Sequence, residues 1–98
     1  MQRKINPILP DIATIKKLVA NGQIVYKQHS NKRLSERSVT VSEVEQVLTQ
    51  GVFRPDNPLA KPPTFIASLQ LQGRLLEVVL CFDELEPYLA VITVIVKQ

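Results

Sequence analysis

The stretch Ile24-Val-Tyr-Lys-Gln-His-Ser-Asn-Lys-Arg-Leu-Ser-Glu-Arg37 passes from a strand-like run into a charged helix. Its first residues are β-branched or aromatic, which favours a strand. His29, Arg33 and Arg37 then follow at four-residue spacing. Because each step of four advances only about 40° around a helix axis, one imidazole and two guanidinium groups share one stripe. The stretch therefore predicts a strand followed at once by a helix with a charged stripe.

The segment before this stretch predicts a first helix. Apolar residues at positions 12, 15, 18 and 19 have the spacing of one helical face. Asp11 is placed to cap its start, and Asn21-Gly22 is placed to end it.

The segment after it predicts a third helix with strong end signals. Thr40-Val-Ser-Glu43 has the pattern of a capping box, and Val39 and Val44 occupy the two positions of a hydrophobic staple. Gly51 is placed to close the helix as a left-handed C-terminal cap.

The second half of the chain predicts strands. Four prolines in residues 54–63 remove the amide donors that a regular ladder needs, so we predict a loop there. From Phe65 onward apolar residues alternate with polar ones, and Gln72-Gly73 predicts a hairpin turn into a strand over 75–82. Residues 83–87 predict a second connection.

The last strand, over 88–96, is β-branched nearly throughout, which suits a central position covered on both faces. Helices first and strands later indicate an α+β fold, with the N-terminal helices packed on one side of a small, mainly antiparallel sheet.

The composition indicates one small globular domain with a modest positive charge. The chain has 98 residues, of which 45% are hydrophobic, and a net charge of +3. We therefore assign residues 1–98 to a single domain, with 1–22 as an N-terminal helical segment and 23–98 as the core. The charge permits a nucleic-acid or acidic-protein partner without requiring one.

The single cysteine and the single histidine exclude two classes of site. Cys81 has no second cysteine to pair with, and its apolar surroundings in sequence predict a buried structural thiol. One His and one Cys without a carboxylate cluster do not make a zinc site. We predict no metal and no cofactor.

The sequence predicts neither a secretory signal nor a membrane span. The basic start at residues 1–7 lacks an apolar core of the needed length. The longest apolar stretch, residues 89–95, is far short of the roughly 20 residues that cross a bilayer. We expect a soluble cytoplasmic protein with no membrane partner.

The motif His-Ser-Asn-Lys-Arg-Leu-Ser-Glu-Arg at 29–37, the capped helix that ends at Gly51, and the terminal Val91-Ile-Thr-Val94 resemble a bacterial family known only as a domain of unknown function. Members of that family have a strand, a His-Ala-x-x-Arg-x-x-x-Arg motif, a short turn, a helix ending in Leu-x-x-Gly, and then strands. The resemblance covers the core, 23–98. The family is similar in architecture to the RelE-like and BrnT-like toxins, small basic ribonucleases of toxin–antitoxin pairs.

The matching positions are His29, Arg33, Arg37, Gly51 and Thr93. This chain departs from the family pattern in the serine that follows the histidine, where alanine is usual, and in its unusually proline-rich loop. The resemblance implies a RelE-like fold, an RNA substrate and an acidic antitoxin-like partner protein.

Metal-independent RNA cleavage needs a base, an acid and cations that offset the charge building on the phosphate. Arg33 and Arg37 suit the cationic role, because guanidinium forks match phosphate oxygens. His29 suits one proton-transfer role, since an unperturbed imidazole has a pKa of about 6.5. We therefore predict these three as the catalytic residues.

The second proton-transfer role falls to Tyr26, Lys27, Lys32 or Glu36, or to a group that the sequence does not reveal. Glu36 is the weakest of the four because it lies well around the helix from the histidine. We also predict that Tyr26, Lys32 and Thr93 contact substrate. The structural alternatives are that Thr93 is a half-buried hydroxyl satisfied by backbone and that Tyr26 packs over the sheet edge.

Two functional hypotheses follow. The first is a toxin-like endoribonuclease, inhibited when an acidic antitoxin covers the stripe. The second is a non-catalytic binding module that recognises an acidic protein or a nucleic-acid backbone. A structural alternative to both is a solvated helix face on which the arginines pair with Glu36 or Glu43.

Overall fold

The computed structural model describes residues 12–83 and 88–97. Asp11 and most of the connection predicted over 83–87 lie outside the described residues. The elements are α1 (Ile12–Ala20), β1 (Ile24–Tyr26), α2 (Gln28–Glu36), α3 (Val41–Gln50), β2 (Val52–Asn57), β3 (Thr64–Leu71), β4 (Arg74–Asp83) and β5 (Tyr88–Lys97).

Five strands form one sheet in the order β1-β5-β4-β3-β2. Strand β1 runs parallel to β5, whereas the other neighbours are antiparallel. Helices α1 and α2 pack against β5, and α3 packs against β3 and β4. The predicted α+β class is confirmed. Strand β5 has a neighbour on each side, which confirms its predicted central position. Among the described residues, helices cover only one of its faces, so the predicted cover on both faces is not found there.

The core lies between the helices and one face of the sheet. Neighbouring strands contribute Ala67, Val78 and Val94 at matching registers, and all three side chains are fully buried. They meet Val44 and Val47 of α3, which are equally buried. Burial of such apolar side chains is the main source of stability in a domain of this size.

The predicted capping box of α3 and the predicted hairpin turn are confirmed. The Thr40 hydroxyl accepts from the amide of Glu43, and the Glu43 carboxylate accepts from the amide of Thr40, so both halves of the capping box are present. Gln72 and Gly73 both have positive φ, at 52° and 84°. These angles suit the two-residue turn whose twist matches a β-hairpin.

The predicted loop over residues 54–63 is wrong in its first part, because β2 continues through Asn57. Proline does not prevent this strand, since β2 is the edge of the sheet and needs donors on one side only. The register with β3 shifts between Pro55 and Asn57, as in a β-bulge.

The predicted left-handed conformation of Gly51 is also wrong. Its φ of −78° and ψ of 175° are open to any residue. Glycine is needed here because β3 passes close by: a Cβ would lie 2.6 Å from the carbonyl oxygen of Ser68 and closer still to that of Val47. The requirement is a close backbone approach between α3 and β3, which no local pattern reveals.

The sheet face opposite the helices, called the outer face here, carries a buried carboxylate. Glu77 lies between the core residues Leu76 and Val78 and so projects to the opposite side. Only 4% of Glu77 is exposed. Its carboxylate accepts from Arg54 at 3.1 Å and from Lys97 at 3.3 Å.

Cys81 also belongs to the outer face, since the neighbouring Leu80 is buried in the core. Its side chain is half-buried, rather than fully buried as we predict from the apolar run. Among the described residues, no helix is long and apolar enough to span a bilayer.

The Glu77 carboxylate makes the stability depend on pH. Burial by itself raises the pKa of Glu77, but the hydrogen bonds from Arg54 and Lys97 outweigh it, so the pKa lies below its usual value. The contribution of this group to stability is therefore fully present above the unfolded pKa of about 4.3 and is lost as the pH falls through the folded pKa.

We expect Glu77→Gln to lower the free energy of unfolding at pH 7 by about 1–2 kcal/mol, because its charged hydrogen bonds are lost. The difference from wild type should shrink as the pH falls below about 4. Urea unfolding at pH 7, 5 and 3 measures it, with Glu45→Gln as a control for the loss of one exposed carboxylate. A difference that stays constant from pH 7 to pH 3 would contradict this account.

Candidate functional site

The junction between β1 and α2 lies beside β5. The pairing of β1 with β5 ends at Tyr26 and Val91. The next amide, that of Lys27, still donates to the Val91 carbonyl at 3.3 Å, and α2 begins at Gln28. The helix thus starts directly at the end of a strand, as the sequence predicts.

A narrow buried stripe fixes α2 on the sheet. Ser30 is fully buried and Leu34 is nearly so. The Ser30 hydroxyl donates to the Lys27 carbonyl at 2.6 Å, which satisfies this polar group inside the core. A small side chain fits at this buried position.

The charged stripe has the same four-residue spacing as the buried one and winds around α2 beside it. Between His29 and Arg37 it turns by about 80° around the helix axis, because a step of four residues exceeds a full turn. Arg33 lies about 100° around the axis from Leu34, on the flank of α2, whereas Arg37 lies about 60° from Leu34, nearer the interface with the sheet. The members of the stripe consequently have different surroundings.

Arg37 sits at this interface, at the end of α2. Its Nη1 donates to the carbonyl oxygen of Val94 at 2.7 Å. Strand β1 pairs with β5 only over Leu89–Val91, so this carbonyl lies beyond the last residue that β1 reaches. The guanidinium supplies the donor that a longer β1 strand would have supplied.

A second arginine, which sequence reasoning missed, holds the turn after α2. Arg74 donates to the Ser38 carbonyl at 3.0 Å and lies 3.3 Å from a Glu43 carboxylate oxygen. Ser38 has a φ of 54°, an uncommon angle for a non-glycine residue. The backbone hydrogen bond from Thr40 is the main reason that the pKa of Glu43 lies below its usual value, with burial opposing it and Arg74 assisting.

The flank of α2 carries the rest of the stripe. Arg33 forms an ion pair with Glu36 at 3.1 Å, and both side chains are exposed, by 38% and 45%. The predicted surface pairing with Glu36 is thereby confirmed for Arg33. Lys32 is also exposed. The backbone of His29 lies in the first turn of α2, whereas its side chain lies outside the described part of the structure.

Two predicted substrate contacts lie away from this flank. Thr93 precedes the core residue Val94 and therefore projects to the outer face, where it is half-buried. Tyr26 lines a cleft with residues of α1 and α3. Burial and, secondarily, the charge of Glu45 raise the pKa of Tyr26, so its hydroxyl keeps its proton at neutral pH.

Arg33 and Lys32 thus lie on the same helix as the backbone of His29. Arg37 instead forms a hydrogen bond with the backbone of β5, which is a structural role. Within 12–83 and 88–97 no group of three or more His, Cys, Asp or Glu side chains could hold a metal ion. The polar contacts that no local motif revealed are those of Arg74 and Glu77, because each depends on a partner far away in the chain.

We expect Arg37→Ala to lower the free energy of unfolding by about 1.5–3 kcal/mol, because it removes a hydrogen bond from a charged donor and leaves a carbonyl unpaired. Arg33→Ala, the matched control from the same helix, should change it by no more than about 0.5 kcal/mol, since its pair is exposed. Urea unfolding followed by circular dichroism compares the two. Equal stability of the two variants would refute the structural role of Arg37.

No protein-family model, no curated protein and no solved structure matches the chain.

Proposed function

We propose that this chain is a toxin-like protein that acts on RNA in the cytoplasm, with the exposed flank of α2 as its RNA-facing surface. The observation that carries the proposal is the docking of α2: Arg37 ties the end of the helix to β5 through a 2.7 Å hydrogen bond. A helix fixed in this way holds its flank in one orientation toward a ligand.

The chemistry of the flank suits a phosphodiester. Arg33 presents a guanidinium at the surface and Lys32 an ammonium, and the chain carries a net charge of +3. Guanidinium groups bind phosphate oxygens in a bidentate manner, and clustered cations attract a nucleic-acid backbone. The order strand, motif helix, turn, helix and strands agrees with the order that the resembling family implies.

In the cleavage that we propose, a base takes the proton of a ribose 2′-hydroxyl, and the resulting oxygen attacks the adjacent phosphorus. The bond to the 5′-oxygen then breaks, and an acid protonates that oxygen. His29, the only histidine of the chain, performs one of these transfers. Arg33 offsets the charge that develops on the phosphate, which is a large contribution to catalysis in such reactions.

The surroundings of the four candidates separate them for the second transfer. The hydroxyl of Tyr26 is buried in the cleft between α1 and α3. Glu36 is paired with Arg33. Lys27 and Lys32 are exposed at the start and middle of α2, so we assign the second role to one of these two lysines.

The alternative function is a binding module without catalysis, and one observation favours it. Both arginines of the stripe already have partners, Glu36 for Arg33 and the Val94 carbonyl for Arg37. A surface of this kind suits an acidic antitoxin-like protein or an RNA backbone held by charge alone. Such binding weakens steeply with added salt while the RNA stays intact.

The test is cleavage of a mixed-sequence RNA in the presence of chelator, with and without ribosomes. We expect wild type to cut, His29→Ala to cut at least about 100-fold more slowly because a proton-transfer group is lost, and Arg33→Ala to be impaired as well. Lys16→Ala removes an exposed cation from α1 and should leave the rate unchanged.

Intact RNA with wild type under both conditions would overturn the catalytic proposal. Retention of the RNA on the protein at low salt, lost in Arg33→Ala, would then establish the binding module. Cutting by wild type and His29→Ala at equal rates would remove the histidine from the mechanism. The free energy of unfolding of each variant is first compared with that of wild type, so that a loss of activity is not mistaken for a loss of structure.

A further inference from the structure

The outer face of the sheet carries two of the four large apolar side chains that are exposed in the described part of the chain. Val52 of β2 is 74% exposed, and Val25 of β1 is 43% exposed. Their chain neighbours Phe53, Ile24 and Tyr26 pack against the core, so both valines project to the opposite side. Apolar side chains exposed on one face are a common mark of a contact surface.

The centre of the outer face is aliphatic. Leu75 and Val79 each lie two residues from Glu77 along β4, and Ile95 of β5 pairs with Glu77, so all three project to the same side as this carboxylate. Each of the three is half-buried. Among the described residues the helices pack on the other face, so this aliphatic floor is open to a partner.

The charge that the outer face presents to a ligand is positive. Two cations, Arg54 and Lys97, are paired with the single carboxylate of Glu77. The Glu77 side chain is only 6% exposed, whereas those of Arg54 and Lys97 are 49% and 59% exposed. A ligand at this face therefore meets both cations and almost none of the carboxylate.

The buried carboxylate also fixes where the two cations lie. Its Oε2 accepts from Nη2 of Arg54 at 3.1 Å, and its Oε1 lies 3.3 Å from Nζ of Lys97. Nη1 of Arg54 donates to the Ser68 hydroxyl at 2.9 Å. A guanidinium has five donor hydrogens and an ammonium three, so both groups keep donors for a ligand. Cations ordered in advance lose less side-chain entropy on binding.

This combination of cations and aliphatic surface favours one class of ligand. Nucleic acid is bound mainly through its phosphates and stacked bases, and an aliphatic floor offers neither charge nor a ring. A basic protein would be repelled by the exposed cations, and a second copy seated on this face would add two more cations to it. A protein segment with carboxylates beside aliphatic side chains matches both features.

We propose that the outer face binds an acidic protein segment whose carboxylates lie beside aliphatic side chains. The carboxylates pair with Arg54 and Lys97, and the aliphatic side chains pack on Val52 and the aliphatic floor. Charge-assisted hydrogen bonds of this type are stronger than neutral ones. The outer face is on the opposite side of the sheet from α2, so this binding is independent of any action on RNA.

The test is a titration of the ¹⁵N-labelled protein followed by amide chemical shifts. The probe is a short peptide, blocked at both ends, in which glutamate alternates with valine. Two control peptides replace the glutamates by lysine or the valines by serine. We expect the probe to shift amides of 52–54, 77–79 and 93–97 with saturation and to leave α2 unchanged. Each control peptide should bind at least about five-fold more weakly, because it lacks the carboxylates or the aliphatic surface.

Two matched pairs of variants address the outer face. Val52→Thr removes exposed apolar surface there, and Val41→Thr makes the same change at a valine of α3 that is 45% exposed. Lys97→Gln removes a cation from the outer face, and Lys16→Gln removes an exposed one from α1. We expect Val52→Thr and Lys97→Gln each to weaken binding of the probe about two- to five-fold. The two control variants should bind it like wild type.

Lys97→Gln also removes a partner of Glu77, so its free energy of unfolding is compared with that of wild type. Val52 has no such role. The proposal is overturned if the probe causes no saturable shift, if its shifts are confined to α2, if the lysine peptide binds equally well, or if both outer-face variants bind like wild type.

Two further results would assign the outer face to another occupant and overturn the proposal. One is a dimer in sedimentation velocity that Val52→Thr dissociates, which would identify a second copy of the chain. The other is a short RNA that shifts the same amides at lower concentration than the probe. Neither result bears on cleavage of RNA at the flank of α2, which has its own test.

Discussion

Strand β5 is longer than β1, its parallel neighbour, and the hydrogen bond between Arg37 and the Val94 carbonyl makes up for that difference. Strand β1 covers β5 only at Leu89–Val91, and the Lys27 amide extends the pairing by one bond. Beyond that point the Arg37 guanidinium supplies the donor, at 2.7 Å. A buried carbonyl without a donor costs about 1–3 kcal/mol, so this bond both docks α2 and completes the sheet.

The docking of α2 connects the fold to the proposed function. The helix whose end is held by Arg37 carries the backbone of His29 in its first turn and Arg33 on its exposed flank. Arg74 holds the turn that follows and bonds to Glu43 of the capping box. The flank is therefore supported at the end of α2 and at the start of α3. A binding surface needs such support to hold its side chains in one geometry toward a ligand.

Sequence reasoning predicted the elements whose signals are local. The capping box at Thr40 and Glu43, the helical end near Gly22 and the turn at Gln72-Gly73 each depend on residues within one turn of chain, and all are found. It failed where a distant strand decides. Gly51 is needed because β3 passes beside it, Pro55 is tolerated because β2 is an edge, and Glu77 is buried because cations from β2 and β5 reach it. The spacing of the stripe was also predictable, but the bond of Arg37 to β5 was not, since its acceptor lies 57 residues away.

The most direct test of this account is hydrogen exchange of individual amides in wild type and in Arg37→Ala under native conditions. We expect the variant to lose protection in α2 and at the end of β5 beyond β1. Amides of the β3–β4 hairpin should lose no more protection than the fall in the free energy of global unfolding accounts for, because their ladder does not involve α2. Unchanged protection of α2 in the variant would contradict the claim that Arg37 docks this helix.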